Sequence, residues 1–258
     1  MNTYALLRAP APLLIDGERT FIDREPIQFS MAQMQHDAYA AALLALGISV
    51  EVLAPLPDLP DSVFVEDTAV VLDEVAILGQ MGAASRKAEI EAMAPTLGRF
   101  RNVVSLPPSA SLEGGDVMVI GNKILVGQSR RTNTAGLQAL QKATAPWGYQ
   151  VIAVPVHGCL HLKTACTALP DQRLLLNPRW VDASPLSDFA CCMTPQHEPW
   201  AACQLSVHDH VILDSCHEAT IEMLNREGYS VLPVDLSEFA KAEAGPTCLS
   251  LVFQYRSA

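Results

Sequence analysis

No apolar run in the 258-residue sequence approaches the roughly 20 residues that cross a bilayer, so no membrane partner is expected. Basic residues are also scarce. Seventeen Lys and Arg stand against 28 Asp and Glu, a formal net charge of −11. Nucleic acids and anionic membrane surfaces need concentrated positive charge, so neither is expected as a partner, whereas a small cationic substrate suits the balance. Charge as a whole is sparse at 17% and half the residues are hydrophobic, which excludes a disordered chain. No secretory leader is read at the N-terminus, where Pro10 and Pro12 break up the short apolar stretch. The seven cysteines are odd in number and form no C-x-x-C unit. They read as reduced thiols of a cytoplasmic protein rather than a disulfide framework. Zinc ligands could be drawn from "HGCLH" (157–161) or from His208, His210, Cys216 and His217. His208 and His210 fall at a hairpin tip, where solvated polar residues belong, so no metal is expected.

What the chain does have is a repeat. "TAVVLDEVAILG" (68–79) joins two apolar runs through Asp-Glu, a hairpin signal. A helix follows from Ser85, a suitable N-cap, and then the strand "RFRNVVSL". The unit recurs with a hairpin over 116–127, a helix opening at Thr132 or Asn133, and a strand over 149–156. A third hairpin runs from His161 through the turn Pro170-Asp171-Gln172, with a poorly marked helix after it. A fourth hairpin turns at 207–210 and precedes a helix that stops at Gly228 and a strand over 229–236. The fifth unit draws on both termini: the last strand, "CLSLVFQY", pairs with "TYALLRA", followed by a helix over 30–47 and the strand "ISVEVLAPL". Five ββαβ units closed in this way form a ring without exposed sheet edges. The expected fold is therefore an α/β five-bladed propeller.

Polar residues recur at one phase of this repeat. Asp61, Glu66 and Asp67 precede the first hairpin, and Glu113 and Asp116 the second. His161 takes that place in the third unit and Cys248 in the fifth. Singly, each reads as a turn acid, a packed histidine or a buried thiol. Jointly, equivalent positions of a closed ring converge on its axis, and the set becomes a candidate site. A thiolate needs a base or positive surroundings, and carboxylates alone would suppress it. The combination makes sense when the substrate is itself a cation. A guanidinium held by Asp61, Glu66, Asp67 or Glu113 would favour the Cys248 thiolate, which would attack the guanidinium carbon. His161 would protonate the departing amine and then activate water.

At "DSVFVEDTAVV", "GAASRKAE", "LEGGDV", "VGQSRRTN", "LHLKT" and "TCLS", in this order and spacing, the sequence resembles the dimethylarginine dimethylaminohydrolase (dimethylargininase) family of the guanidino-modifying pentein superfamily. "RAPAPLLIDG" also fits, and the resemblance covers essentially the whole chain as a single pentein domain, residues 1–258. It implies the same five-bladed fold and a cofactor-free hydrolysis of asymmetric dimethylarginine or monomethylarginine to citrulline plus dimethylamine or methylamine. It implies that Cys248 is a nucleophile forming a covalent thiouronium, that His161 is the general acid and base, and that Glu113 orients His161. Asp67 would bind guanidinium nitrogens, with Asp61 and Glu66 completing an acidic wall. Arg86 and Arg131 would grip the substrate α-carboxylate, a task suited to a planar guanidinium fork; the Arg-Thr-Asn register selects Arg131 over Arg130. The partner implied is a small cationic guanidino amino acid, bound by a monomer or homodimer.

Arginine deiminases resemble the chain in Cys, His and Glu but usually carry an acid two residues after the histidine. Lys163 stands there, which suits a methylated nitrogen. A deiminase acting on arginine, another guanidino amino acid as substrate, and a non-catalytic pentein binding module are the competing readings. Two positions depart from the family pattern. Glu18 replaces a commonly apolar lid residue near the substrate amine. Glu243-Ala244 replaces an Asp-Gly pair just after Ala242, whose carbonyl the resemblance assigns to that amine.

Overall fold

The computed structural model describes residues 2–255. Each of five sheets has three strands, an antiparallel pair to which a third strand adds in parallel; the pair is a hairpin in four sheets and is made by the two termini in the fifth. β1 (Asn2–Arg8) is followed by α1 (Phe29–Ala45) and β2 (Ser49–Leu53). Next come β3 (Ala69–Val71), β4 (Val75–Leu78), α2 (Lys87–Leu97) and β5 (Asn102–Ser105). The next blade holds β6 (Val117–Ile120), β7 (Lys123–Gln128), α3 (Thr134–Thr144) and β8 (Gln150–Pro155). A short α4 (Leu162–Ala165) leads into β9 (Cys166–Ala168), β10 (Leu174–Leu176) and β11 (Cys191–Met193). The last full blade is β12 (Leu205–Val207), β13 (His210–Asp214), α5 (Glu218–Arg226) and β14 (Ser230–Val234). The chain ends with α6 (Ser237–Ala240) and β15 (Leu251–Tyr255).

The termini close the ring as the sequence predicts. β15 pairs antiparallel with β1, placing Leu251 opposite Leu6, and β2 lies parallel on the other side of β1. Burial follows the side-chain periods. In α1, Ala32, Gln35, His36, Tyr39, Ala40 and Leu43 face inward at helical spacing, and Tyr39 and Leu43 pack with Leu7, Phe64 and Phe239. The central strands β4, β7, β10 and β13 bury apolar residues on both faces, as strands covered on two sides do.

Three local expectations are corrected. Ser85 is not an N-cap. Ala84–Arg86 form a 3₁₀ turn ahead of α2, and the Ser85 hydroxyl instead donates to Glu18 Oε1 at 2.6 Å. The helix expected in the third blade is absent, reduced to a 3₁₀ turn at Ser184–Leu186 within a segment that carries Pro185. Leu162–Ala165, read as part of a strand, are the helical turn α4, whose first N–H donates to Asp116 Oδ1 at 2.9 Å. Asn133 caps α3 as predicted, accepting the Gly136 N–H at 2.7 Å.

Candidate active site

A helical turn precedes the first strand of four blades: Val65–Thr68, Gly114–Asp116, Leu162–Ala165 and Pro246–Leu249. These turns carry Glu66 and Asp67, Asp116 beside Glu113, the helix after His161, and Cys248. The repeat thus delivers its polar residues to one place. The fourth blade contributes Cys203, which the sequence reading missed. Its Sγ lies 3.5 Å from the Thr247 hydroxyl, which is 3.8 Å from the Cys248 Sγ.

His161 is buried with Nε2 2.7 Å from Glu113 Oε2 and Nδ1 3.7 Å from Asp67 Oδ1. Burial opposes its charge, but the Asp67 charge, the Glu113 hydrogen bond and Asp116 outweigh it and raise its pKa to about 9. Burial likewise pushes the Glu113 carboxyl up, yet the His161 bond and charge, with Arg86 and Arg131, bring it down to about 2. The stabilisation from Glu113 is therefore present above its ordinary range near 4.5 and lost as pH falls through about 2. That from His161 is present below about 6.5 and lost as pH rises through about 9. Glu113→Gln removes the hydrogen-bonded anion, and the His161 midpoint followed by NMR is expected to fall by about 1 unit or more. An unchanged midpoint would show that Asp67 and Asp116 suffice.

Close approach explains the glycines of "LEGGDV". A Cβ on Gly115 would lie 2.6 Å from both Asp67 Oδ1 and His161 Nδ1, and one on Gly114 only 2.0 Å from the Glu66 carbonyl oxygen. The Gly115 N–H donates to Asp67 Oδ1 at 3.2 Å. Asp116 is fully buried and accepts from Ser129 Oγ at 2.6 Å as well as from α4, so it fixes the turn that follows His161.

The thiol of Cys248 is half-buried. The adjoining Cys203 thiol, burial and the charges of Glu66 and Asp67 hold its pKa well above the ordinary thiol value. Without a ligand it stays protonated. Its loop is anchored by the buried Tyr39 hydroxyl, which donates to the Pro246 carbonyl and lies 2.8 Å from Ser250 Oγ.

The acids meet different partners. Glu66 Oε1 is 2.6 Å from Lys163 Nζ, while its buried Oε2 has no hydrogen-bond partner. Burial raises the Glu66 pKa despite Lys163. Asp61 is also buried and accepts the Glu18 N–H through both oxygens, at 3.2 and 3.1 Å. Burial raises its pKa against the pull of Arg86. Glu18 itself is exposed and holds Ser85, so its backbone rather than its side chain reaches the acids. Ala242 is buried, in the turn after α6.

Arg86, expected to grip a substrate carboxylate, is already engaged inside the protein. Its guanidinium donates to Asp67 Oδ2 at 2.6 Å, to Glu89 at 3.0 and 2.9 Å, and to the carbonyls of Asp61 and Phe64. Asp67 and Glu89 are two buried carboxylates and need a buried cation beside them, which commits Arg86 internally. Nothing in the helical pattern marked Glu89 as buried. Arg131 makes one long side-chain contact, Nη1 to Glu113 Oε1 at 3.4 Å, and retains donors for a ligand.

Asp67, Glu113 and His161 also place ligand atoms within 4.8 Å of one another, near enough to share a metal ion. Metal binding requires a neutral imidazole, so a metal would have to displace the proton that the neighbouring acids favour on His161. The zinc sets weighed from sequence are not among the clustered ligand groups of the described residues. No helix is long and apolar enough to cross a membrane among those residues.

Residues 19–168 match the family described as N,N dimethylarginine dimethylhydrolase, eukaryotic. A Streptomyces coelicolor protein named N(G),N(G)-dimethylarginine dimethylaminohydrolase is 40% identical over 250 residues, covering 96% of this chain and 95% of that one. Its namesake from Pseudomonas aeruginosa is 33% identical over 255 residues, covering 98% and 100%. The structure of a Cys-to-Ser variant of the P. aeruginosa enzyme complexed with citrulline superposes with a TM-score of 0.94 at 32% identity, covering 98% of this chain and 100% of that one. The same score, identity and coverage hold for a structure described as an H-to-G variant adduct with S-methyl-L-thiocitrulline. Five sheets closed by the termini, with acid, imidazole and thiol at the strand entrances, define a pentein. Within that class the chain belongs to the dimethylarginine dimethylaminohydrolase family.

Proposed function

We propose that the chain hydrolyses asymmetric dimethylarginine or monomethylarginine to citrulline and dimethylamine or methylamine. The observation carrying this reading is the cluster of His161, Glu113 and Asp67, whose Asp67 charge also acts on the Cys248 thiol, in a chain 40% identical to an enzyme of that name. In this reading the guanidinium docks against Asp67 and the acidic wall of Asp61 and Glu66. Arg131 takes the α-carboxylate, and the Ala242 carbonyl takes the ammonium. The arriving positive charge lowers the Cys248 pKa, and the thiol releases its proton to solvent. The thiolate attacks the guanidinium carbon. His161, charged at neutral pH, protonates the departing methylamine and leaves a Cys248 thiouronium. Neutral His161 then takes a proton from water, whose oxygen attacks the same carbon. Citrulline leaves and the thiolate is restored.

The Lys163–Glu66 ion pair supports a methylated rather than an unsubstituted guanidinium, because Lys163 neutralises one acid where a deiminase would add another. Citrulline release from asymmetric dimethylarginine, monomethylarginine and arginine, each supplied alone, tests the proposal. Turnover of the methylated substrates at least about tenfold above arginine, by kcat/KM, is the expected result. Citrulline from arginine alone would make the chain a deiminase.

A further inference from the structure

Glu243 has no role in the chemistry just described, yet it is among the most committed acids of the molecule. It is 4% exposed and sits at φ +59°, a left-handed conformation that a residue with a Cβ adopts at some cost. Its carboxylate accepts three consecutive backbone N–H groups: Thr20 on Oε2 at 2.9 Å, and Phe21 and Ile22 on Oε1, the latter at 3.0 Å. Consecutive N–H groups turned to one side form a concave anion site, and an acid buried in it makes charge-assisted bonds.

The segment so held, residues 17–24, is tied to three blades. The Glu18 N–H reaches Asp61, and the Glu18 carboxylate takes the Ser85 hydroxyl. Arg130 lies over the Phe21 ring at 5.4 Å. Arg19 Nε donates to the Lys241 carbonyl at 2.6 Å, two residues before Glu243. Ile22 lines a 180 Å³ cavity together with Cys203, Glu243, Gly245 and Pro246, the last two just ahead of Cys248 in the chain. The segment spans from the acids of one blade to the nucleophile loop of another, and Glu243 is its only acid contact from the nucleophile side among the described residues.

We propose that Glu243 is a positioning residue that latches residues 17–24 over the site. Ala242, the residue expected to receive the substrate ammonium, immediately precedes it. One turn therefore sets both amine recognition and closure, a coupling that rests on the proposed function, whereas the latch rests on the contacts alone. The strained φ is maintained because the side chain must reach back to the segment.

The test is hydrogen exchange of the peptide spanning residues 17–24 in the ligand-free wild type, Glu243→Ala and Glu243→Gln, alongside steady-state kinetics with asymmetric dimethylarginine. Glu243→Ala is expected to speed exchange of that peptide by about tenfold or more while β7 and β13 stay protected. KM should rise about tenfold with kcat changed less, because the lid orders the bound substrate without touching the reacting atoms. Glu243→Gln keeps an acceptor oxygen and should fall between the two. Unchanged exchange in Glu243→Ala would overturn the latch, and so would exchange that rises equally throughout the chain. Faster exchange in the segment with no citrulline even from wild type would uphold the latch and remove the proposed function instead.

Discussion

Replacing Cys248 by serine is expected to cut citrulline formation by about 10⁴-fold or more while leaving the fold intact. The loss is chemical. Oxygen for sulfur removes the most nucleophilic side chain at neutral pH, and the surrounding acids give an alkoxide no support. The thiol is half-buried, serine is close to it in size, and its loop is held separately by the Tyr39 hydroxyl on the Pro246 carbonyl, so the blade is expected to keep its packing. Circular dichroism and a melting curve matching wild type, with turnover gone, are the predicted pair of readings. Turnover within about tenfold of wild type would remove Cys248 from the chemistry.

The second large effect is at His161. His161→Ala should lower kcat for dimethylarginine by about 10²–10⁴-fold, the range typical of a lost general acid and base. It also strips Glu113 of its hydrogen-bonded partner and leaves a buried anion, so some loss of stability is expected with it. The leaving group separates the two effects. An S-alkyl isothiourea analogue expels a thiolate that needs no proton, so formation of the covalent adduct should be far less impaired than with dimethylarginine. An equal defect on both substrates would mean that the variant is merely misfolded or that His161 gives up no proton.

Much of this could be read from the chain because the fold repeats. Hairpin, helix and strand recur at one period, so weak local signals supported each other, and the closing of β15 on β1 followed from two apolar segments left unpaired at the termini. The same phasing put Glu113, His161 and Cys248 at equivalent blade positions, and the first two meet in a hydrogen bond. What could not be read was pairing among side chains that share no repeat position. Arg86 reads as a ligand contact through the family resemblance alone, and nothing in the sequence shows that Glu89, on the next helical turn, is buried and pairs with it. Cys203 sits in an unremarkable stretch, and only the closed ring brings it against the Thr247 hydroxyl. Glu243 stands out in the sequence only as a departure from the family pattern; its use appears when residues 20–22 fold back to meet it. The helix that the sequence marks poorly in the third blade is missing there, where Pro185 falls within a 3₁₀ turn between β10 and β11.

The central claim is that the Cys248 sulfur bonds to the guanidinium carbon. Intact-mass spectrometry of the protein acid-quenched during turnover of asymmetric dimethylarginine, followed by peptide mapping, examines that bond directly. The account predicts an adduct of the substrate less dimethylamine, confined to the peptide carrying Cys248 and absent from Cys248→Ser. Citrulline formed with no adduct trapped at any quench time, or an adduct mapped to another residue such as Cys203, would contradict it.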